Sequence, residues 1–490
     1  MKKVNLLLAA VVAASSMSMP AQAADVFFNG YLRSGVSTNN ITADDPQVGK
    51  VGRVGVENNT YGEISLGSNL AQVDDTVWTV NTTMAFKSYF NRDWQASENS
   101  NTGASISKDG NAIYNDKNYA ETYQSAFRQA YLNVKGLFDW DKDASVWVGK
   151  RYYRRDFYLT DIQYFNISGM GAGIQDLQAG AGKLSLAWFR RDDPTNEFKF
   201  ENISNKQLAE VKRGIASVQI FDVQYNMPVW SDASFLIDAT YLVPQRGLYT
   251  NNYNGIRPSA DYGKGSILSL ELTQGMLGGF NRTALTIAHG SNAHYGAFGF
   301  DSWIDRTGAS NSATRWSLRN FGDIKLSDNI GLAHYVYGYY VSGFDDNKTP
   351  ERTNKCFNVI LHPYVKLTKM TKIYADVAAY AESKNFVESR KNGIDGRTIG
   401  TTEQGQKYSI GYAISPDSMN FWTRPEIRIY ATYLHGNDNS MNYQGMKYDD
   451  VFVGEGKNDK GEDKGKVVYT NCSGKKTSAF NFGVMFEAWW

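Results

Sequence analysis

Alternation with a period of two constrains this chain most. A run that is apolar at every second residue and charged between fits a strand lying between two unlike environments. In Glu426 to Tyr433, Ile427, Ile429, Ala431 and Tyr433 face one way, and Glu426, Arg428, Tyr430 and Thr432 face the other. Ile373, Ala375, Val377 and Ala379 alternate with Lys372, Tyr374, Asp376 and Ala378. Phe235, Ile237, Ala239, Tyr241 and Val243 alternate with Ser234, Leu236, Asp238, Thr240 and Leu242. The chain ends in the same way. Phe480, Phe482, Val484, Phe486, Ala488 and Trp490 share one face, and Ala479, Asn481, Gly483, Met485, Glu487 and Trp489 the other. A soluble sandwich alternates too, so the second face decides. Here it carries charges and rings together, which suits a barrel in lipid with apolar residues outward and a polar, wet interior. Such a sheet must close, because lipid satisfies no open edge. In water the aromatic last strand would be an aggregation hazard. It fits the terminal strand that barrel-assembly machinery reads.

Polar stretches rich in Gly and Asn separate the strands. The longest run from Asn91 to Asn118, Asp192 to Lys212, Asn385 to Gln406 and Gly436 to Lys476, and are read as loops. Long loops on one side and short turns on the other is the outer-membrane pattern. An even strand number in the high teens, at about 10 residues each, leaves over half the chain to loops. The expected fold is all-β: a transmembrane antiparallel barrel with long outer loops.

The N-terminus reads as an export signal. Lys2 and Lys3 precede the apolar run Leu6 to Ala14 and the small-residue end Ala21-Gln22-Ala23. That is the order of a secretory signal peptide, and the run falls short of the roughly 20 residues that span a bilayer. Cleavage after Ala23 is expected, leaving 24–490 as a single barrel domain bound for the bacterial outer membrane. Losing the leader takes away two lysines and no acid, so the net charge moves from +1 to −1. A nucleic-acid binder would show a basic excess. Mean hydropathy is −0.45, and no later stretch reads as a membrane helix.

Little points to catalysis or cofactors. Cys356 and Cys472 can pair in an oxidising compartment, but the sequence does not show whether they approach closely enough. No Cys or His cluster has metal-ligand spacing. Gly169, Gly171 and Gly173 lack the G-x-G-x-x-G spacing and any βαβ context; they are read as letting a loop bend back into the barrel. An enzyme needs a nucleophile, a base and an orienting group. The five histidines, His289, His294, His334, His362 and His435, sit in no nucleophile motif. A barrel hydrolase and a soluble carbohydrate-binding protein are therefore the weaker alternatives, to be separated by a hydrolysis assay and by detergent-free solubility.

Several stretches resemble the maltoporin family of sugar porins. They are Gly30-Tyr31-Leu32-Arg33-Ser34-Gly35, Val146-Trp147-Val148-Gly149-Lys150-Arg151-Tyr152-Tyr153, Ile167-Ser168-Gly169-Met170-Gly171-Ala172-Gly173, Gly182-Lys183-Leu184-Ser185-Leu186-Ala187, Trp422-Thr423-Arg424-Pro425-Glu426-Ile427-Arg428 and Phe486-Glu487-Ala488-Trp489-Trp490. No piece is diagnostic alone; their collinear order is. The resemblance implies an eighteen-stranded barrel that assembles as a homotrimer in outer-membrane lipid. It implies passive diffusion of maltose and maltodextrins, with no bond made or broken, along a line of aromatic rings. The family pattern places that line on Tyr31, Tyr61, Phe280, Trp422 and Trp489, with Trp94 folding in from a neighbouring subunit. Alternation supports part of this independently: Tyr31 and Arg33 lie opposite Val26, Phe28 and Leu32, Tyr61 and Glu63 oppose Ile64 and Leu66, and Trp489 opposes Phe486. Rings of an interfacial girdle would point outward with the apolar face instead.

The polar track that would exchange hydrogen bonds with sugar hydroxyls is Arg33, Arg53, Glu63, Arg128, Arg155, Asp156 and Asp161; the plainer reading of these is an ordinary wet pore lining. The constriction belongs to an inward-folded third loop. Where the family has a tyrosine, this chain has Gln163, and its next acidic position is Asn166. The segment is one residue shorter, so Tyr164 can shift into the role. The first loop lacks the cysteine pair of many maltoporins, and there is no N-terminal coiled coil of the kind sucrose porins carry. An amide in place of a flat ring would suit bulkier sugars, so a sucrose or β-glucoside type of porin, or a general non-selective one, stands as the alternative.

Overall fold

The computed structural model describes residues 25–38, 50–88, 105–106, 112–113, 123–155, 159, 166–202, 207–244, 249–251, 255–257, 264–295, 311–344, 351–390, 393–437, 448–457, 463–472 and 478–490. Eighteen strands form one sheet. In chain order they are β1 (Val26–Ser37), β2 (Thr60–Val73), β3 (Thr76–Ser88), β4 (Tyr123–Lys135), β5 (Ser145–Arg151), β6 (Gly169–Ala179), β7 (Gly182–Asn202), β8 (Gln207–Trp230) and β9 (Ala233–Pro244). There follow β10 (Gly265–Met276), β11 (Gly279–Gly290), β12 (Thr314–Ser327), β13 (Ile330–Ser342), β14 (Glu351–Lys366), β15 (Thr371–Arg390), β16 (Gly393–Ile414), β17 (Glu426–Gly436) and β18 (Ser478–Trp489). Each pairs antiparallel with the next, and β1 also pairs with β18, Tyr31 against Trp489 and Val36 against Val484. The sheet is therefore a closed up-and-down barrel. At the closing seam the Gly30 and Trp490 backbones exchange hydrogen bonds of 3.1 and 3.2 Å.

Burial follows the alternation. On β17 the inward Glu426, Arg428, Tyr430, Thr432 and Leu434 are buried, and the outward Ile427, Ile429 and Tyr433 are exposed. On β18, Ala479, Asn481, Met485 and Glu487 are buried while Phe480, Phe482, Val484 and Phe486 face out. The outer surface is thus a sleeve of apolar side chains, which lipid accepts.

One end carries tight connections, such as Asp74-Asp75 between β2 and β3, Gly180-Ala181 between β6 and β7, and Leu277-Gly278 between β10 and β11. Both chain ends of the barrel lie there. The longest connections, between β3 and β4 and between β17 and β18, are at the other end. Two stretches expected as loops are corrected: Asp192 to Lys212 and Asn385 to Gln406 are continuous ribbons, β7 pairing with β8 out to Asn202 and Gln207, and β15 with β16 out to Arg390 and Gly393. The glycines Gly169, Gly171 and Gly173 are corrected as well. They stand in β6, not in a bend. A Cβ on Gly173 would meet the Leu186 carbonyl at 2.5 Å and the Trp147 indole at 2.9 Å, so the bare backbone is what lets that buried indole lie on the strand.

The interior holds a second departure. Residues 50–59, between β1 and β2, also fold inward and pack on the wall of β14 to β18. Val51, Val54 and Val56 are buried there. Gly52 and Gly55 have φ of +84° and +85°, and a Cβ on Gly55 would lie 2.4 Å from the Thr432 hydroxyl. This segment covers much of the charged wall. Asp376, Lys407 and Arg428 are almost wholly buried in place of lining open water.

Candidate functional site

The site is built on the seam of β1, β2 and β18. Tyr31 and Tyr61 are half-buried on the inward face, and Trp489 is 38% exposed on a face whose preceding inward residues are buried. Their rings form a chain: Tyr61 to Tyr31 is 5.9 Å between centroids, and Tyr31 to Trp489 is 6.4 Å with near-parallel planes. Tyr61 stands at the long-loop end of β2, Tyr31 midway along β1, and Trp489 at the last residue of β18. The line descends toward the short-turn end. There, Phe280 at the start of β11 and Trp422 in the 415–425 connection lie 6.5 Å apart. Phe321 and Phe421 back that pair, at 5.9 and 5.1 Å from Trp422. Five of the six expected rings thus fall into two groups. Arg424, two residues after Trp422, lies 4.5 Å above Trp489 and links them. Trp94 lies outside the described residues.

The expected polar residues flank the upper group. Arg33 lies 5.6 Å from the Tyr61 ring centre. Arg53, carried by the inward 50–59 segment, donates to the Tyr31 hydroxyl at 3.3 Å and pairs with Glu487. Glu63 accepts from the hydroxyls of Tyr61 and of Tyr152 (3.0 Å) and pairs with Arg155 at 3.0 Å. Arg128 donates to the Tyr152 hydroxyl at 3.1 Å. Asp156, Asp161, Gln163 and Tyr164 lie outside the described residues. Asn166 is buried, and its amide oxygen caps the backbone N–H of Ser168 at 3.0 Å, so it braces the base of the third connection.

Three further side chains here are not among the expected site residues, although each stands in one of the family-like stretches. Tyr152 lies between two cations, Arg155 at 4.0 Å from its ring centre and Arg128 at 5.5 Å, which its ring attracts. Burial pushes its hydroxyl up to about 12, which keeps it a donor toward Glu63. Glu487, with no exposed surface, accepts from Tyr31 at 2.7 Å and holds Arg53, Arg424 and Arg428, the last two at 2.7 Å. Arg424 is the third. Alternation places Glu487 inward, but no spacing predicts partners hundreds of residues away. The arrangement offers flat apolar rings edged by fixed guanidiniums and carboxylates, and among the described residues it contains no assembled nucleophile and base.

The model of the LamB porin family matches residues 26–490. The chain belongs to the LamB porin family. Relatives in that family include Maltoporin 1 of Klebsiella pneumoniae, 27% identical over 99% of this chain and 97% of that one. Maltoporin 2 of Yersinia pestis is 26% identical over 94% and 93%. A solved structure, the anion-selective porin from Comamonas acidovorans, is 10% identical with a TM-score of 0.39, covering 95% of this chain and 98% of that chain. A LamB-family barrel with this wall is an outer-membrane porin. Cys356 is free among the described residues, and the Cys472 side chain lies outside them.

Proposed function

We propose that the chain passes maltose and maltodextrins by passive diffusion, with Tyr61, Tyr31, Trp489, Trp422 and Phe280 as the sugar path. The observation that carries this reading is the run of inward rings in mutual reach beside an exposed Trp489. A pyranose has an apolar C–H face and a hydroxyl rim. Aromatic faces take the former at roughly 1 kcal/mol per ring, by analogy with other aromatic contacts. Arg33, Arg53, Glu63 and Arg155 border these rings, and charged groups make the stronger hydrogen bonds to a sugar's hydroxyls. A conducting path needs several weak sites passed in sequence. Sugar affinities between about 1 mM and about 1 μM are expected, or about −4 to −8 kcal/mol. The maltoporins among its relatives support maltodextrins as first choice. Export by a leader cleaved after Ala23, insertion by barrel-assembly machinery, and a homotrimer in which Trp94 reaches a neighbour belong to the same proposal.

The test is conductance of the purified protein in planar bilayers, titrated with maltotriose, maltohexaose and sucrose. Saturable block that strengthens with maltodextrin length is expected. Trp489→Ala and Trp422→Ala should each weaken that block about fivefold, near 1 kcal/mol per ring, with ion flow intact. Unchanged block in both variants overturns the aromatic path. Block by sucrose over maltodextrins would favour the sucrose-type alternative raised by Gln163.

A further inference from the structure

The inward segment 50–59 is held by its backbone. Asn358 donates to the Lys50 carbonyl, Asn481 to that of Gly55 at 3.4 Å, and Tyr430 to that of Glu57 at 2.9 Å. Lys407 differs from these. Its ammonium donates to Gly52 O at 2.7 Å and to Val54 O at 3.0 Å, the two carbonyls that bracket Arg53. Its third neighbour is Asp376, at 2.8 Å. An ammonium has three N–H donors, and three acceptors surround this one in a side chain with no exposed surface. A cation so buried is tolerated only when paired and hydrogen-bonded. The pairing here is spent on the backbone on both sides of a single residue.

That residue is the segment's link to the rings. Arg53 reaches the Tyr31 hydroxyl and Glu487, and keeps 19% of its side chain exposed. Gly52 is in the left-handed region, and a Cβ there would meet the Leu159 carbonyl at 2.9 Å and Ile360 at 3.0 Å, so the bare backbone is what lets the chain be gripped tightly at this point. The geometry points to Lys407 as a positioning residue for sugar passage: from inside the wall, out of the lumen's reach, it sets where the Arg53 guanidinium stands beside Tyr31. This rests on the reading of the aromatic line as the sugar path. Fixing a donor in advance spares a passing sugar the entropy of ordering it.

The experiment replaces Lys407→Met together with Asp376→Asn, so that no lone charge remains, and reads maltotriose block in planar bilayers. The half-blocking concentration is expected to rise about three- to tenfold, the usual span for coupled neighbours. In an Arg53→Gln background the same pair should add nothing. Additive effects in that background overturn the proposal, as does a Tyr430→Phe protein that loses block equally, since that would mean general loosening of the segment. Block lost in Trp489→Ala yet unmoved by the Lys407 pair overturns the role of Lys407 alone; block unmoved by both overturns the aromatic reading with it. Should that double variant fail to assemble, Lys407→Gln with Asp376→Asn, which keeps amide donors and leaves no lone charge, carries the same cycle with Arg53→Gln.

Discussion

Glu487 holds three guanidiniums and a tyrosine hydroxyl with one carboxylate. A carboxylate has about four acceptor positions, so the site is filled. Glu487→Gln leaves Arg53, Arg424 and Arg428 with a charge short. Breaking a buried ion network in this way is worth about 3 kcal/mol or more, to be read as a lower urea midpoint. The excess positive charge beside the rings should also shift the reversal potential in a KCl gradient toward anions. An unmoved potential would mean that the cluster is electrically hidden from the lumen. At this scale the sequence was legible for facing and silent about partners. Tyr31, Tyr61 and Trp489 were assigned inward from their own strands, since a strand reports which side each residue takes. The placing of Tyr152 between Arg128 and Arg155 depends on how strands from different parts of the chain curve together, and no local pattern encodes that.

Strands could be read wherever they met two environments. β15 and β17 alternate because one side faces lipid and the other the packed interior. Asp192 to Lys212 and Asn385 to Gln406 have no such apolar alternation in sequence and so look like loops, although their pairing continues. The inward 50–59 segment was missed for a related reason. Val51, Val54 and Val56, interrupted by Gly52 and Gly55, are the available signal, but three valines in a mixed segment do not say against which wall it packs. The 136–144 connection between β4 and β5 owes its shape to one acid. Asp141 accepts backbone N–H bonds from Gln178 at 2.6 Å, Asp143 at 3.2 Å and Ala144 at 3.3 Å. Those bonds, that from Gln178 first, hold its carboxyl below the usual 3.8. A depressed carboxyl stabilises the fold above its unfolded value and loses that contribution as the pH falls through the folded one. The stability gap between wild type and Asp141→Asn in urea should therefore be full near about pH 6 and close toward about pH 2. A gap independent of pH would assign the effect to shape in place of charge.

For the whole molecule, the outward sleeve sets the solvent. Phe482 is exposed in the middle of β18 with Phe480 and Val484 beside it. Phe482→Arg should lower the free energy of folding into lipid vesicles by about 2–4 kcal/mol. Phe482→Leu should change it little, and equal losses would place this face against protein and not lipid. The closed cylinder itself followed from the sequence by a simple route: alternating strands in lipid leave no permissible edge. The count of eighteen came from resemblance, and the strand order in space was fixed by neither.

The seam between β1 and β18 has a consequence in time. Its two strands are the most widely separated along the barrel's sequence, so the pairing that removes the last edges is also the one that closes the longest loop. Contacts of that kind form late, after the local hairpins. Until then any partial sheet has two raw edges, each a template for a stray strand. Closure is thus the slow step against which misassembly competes.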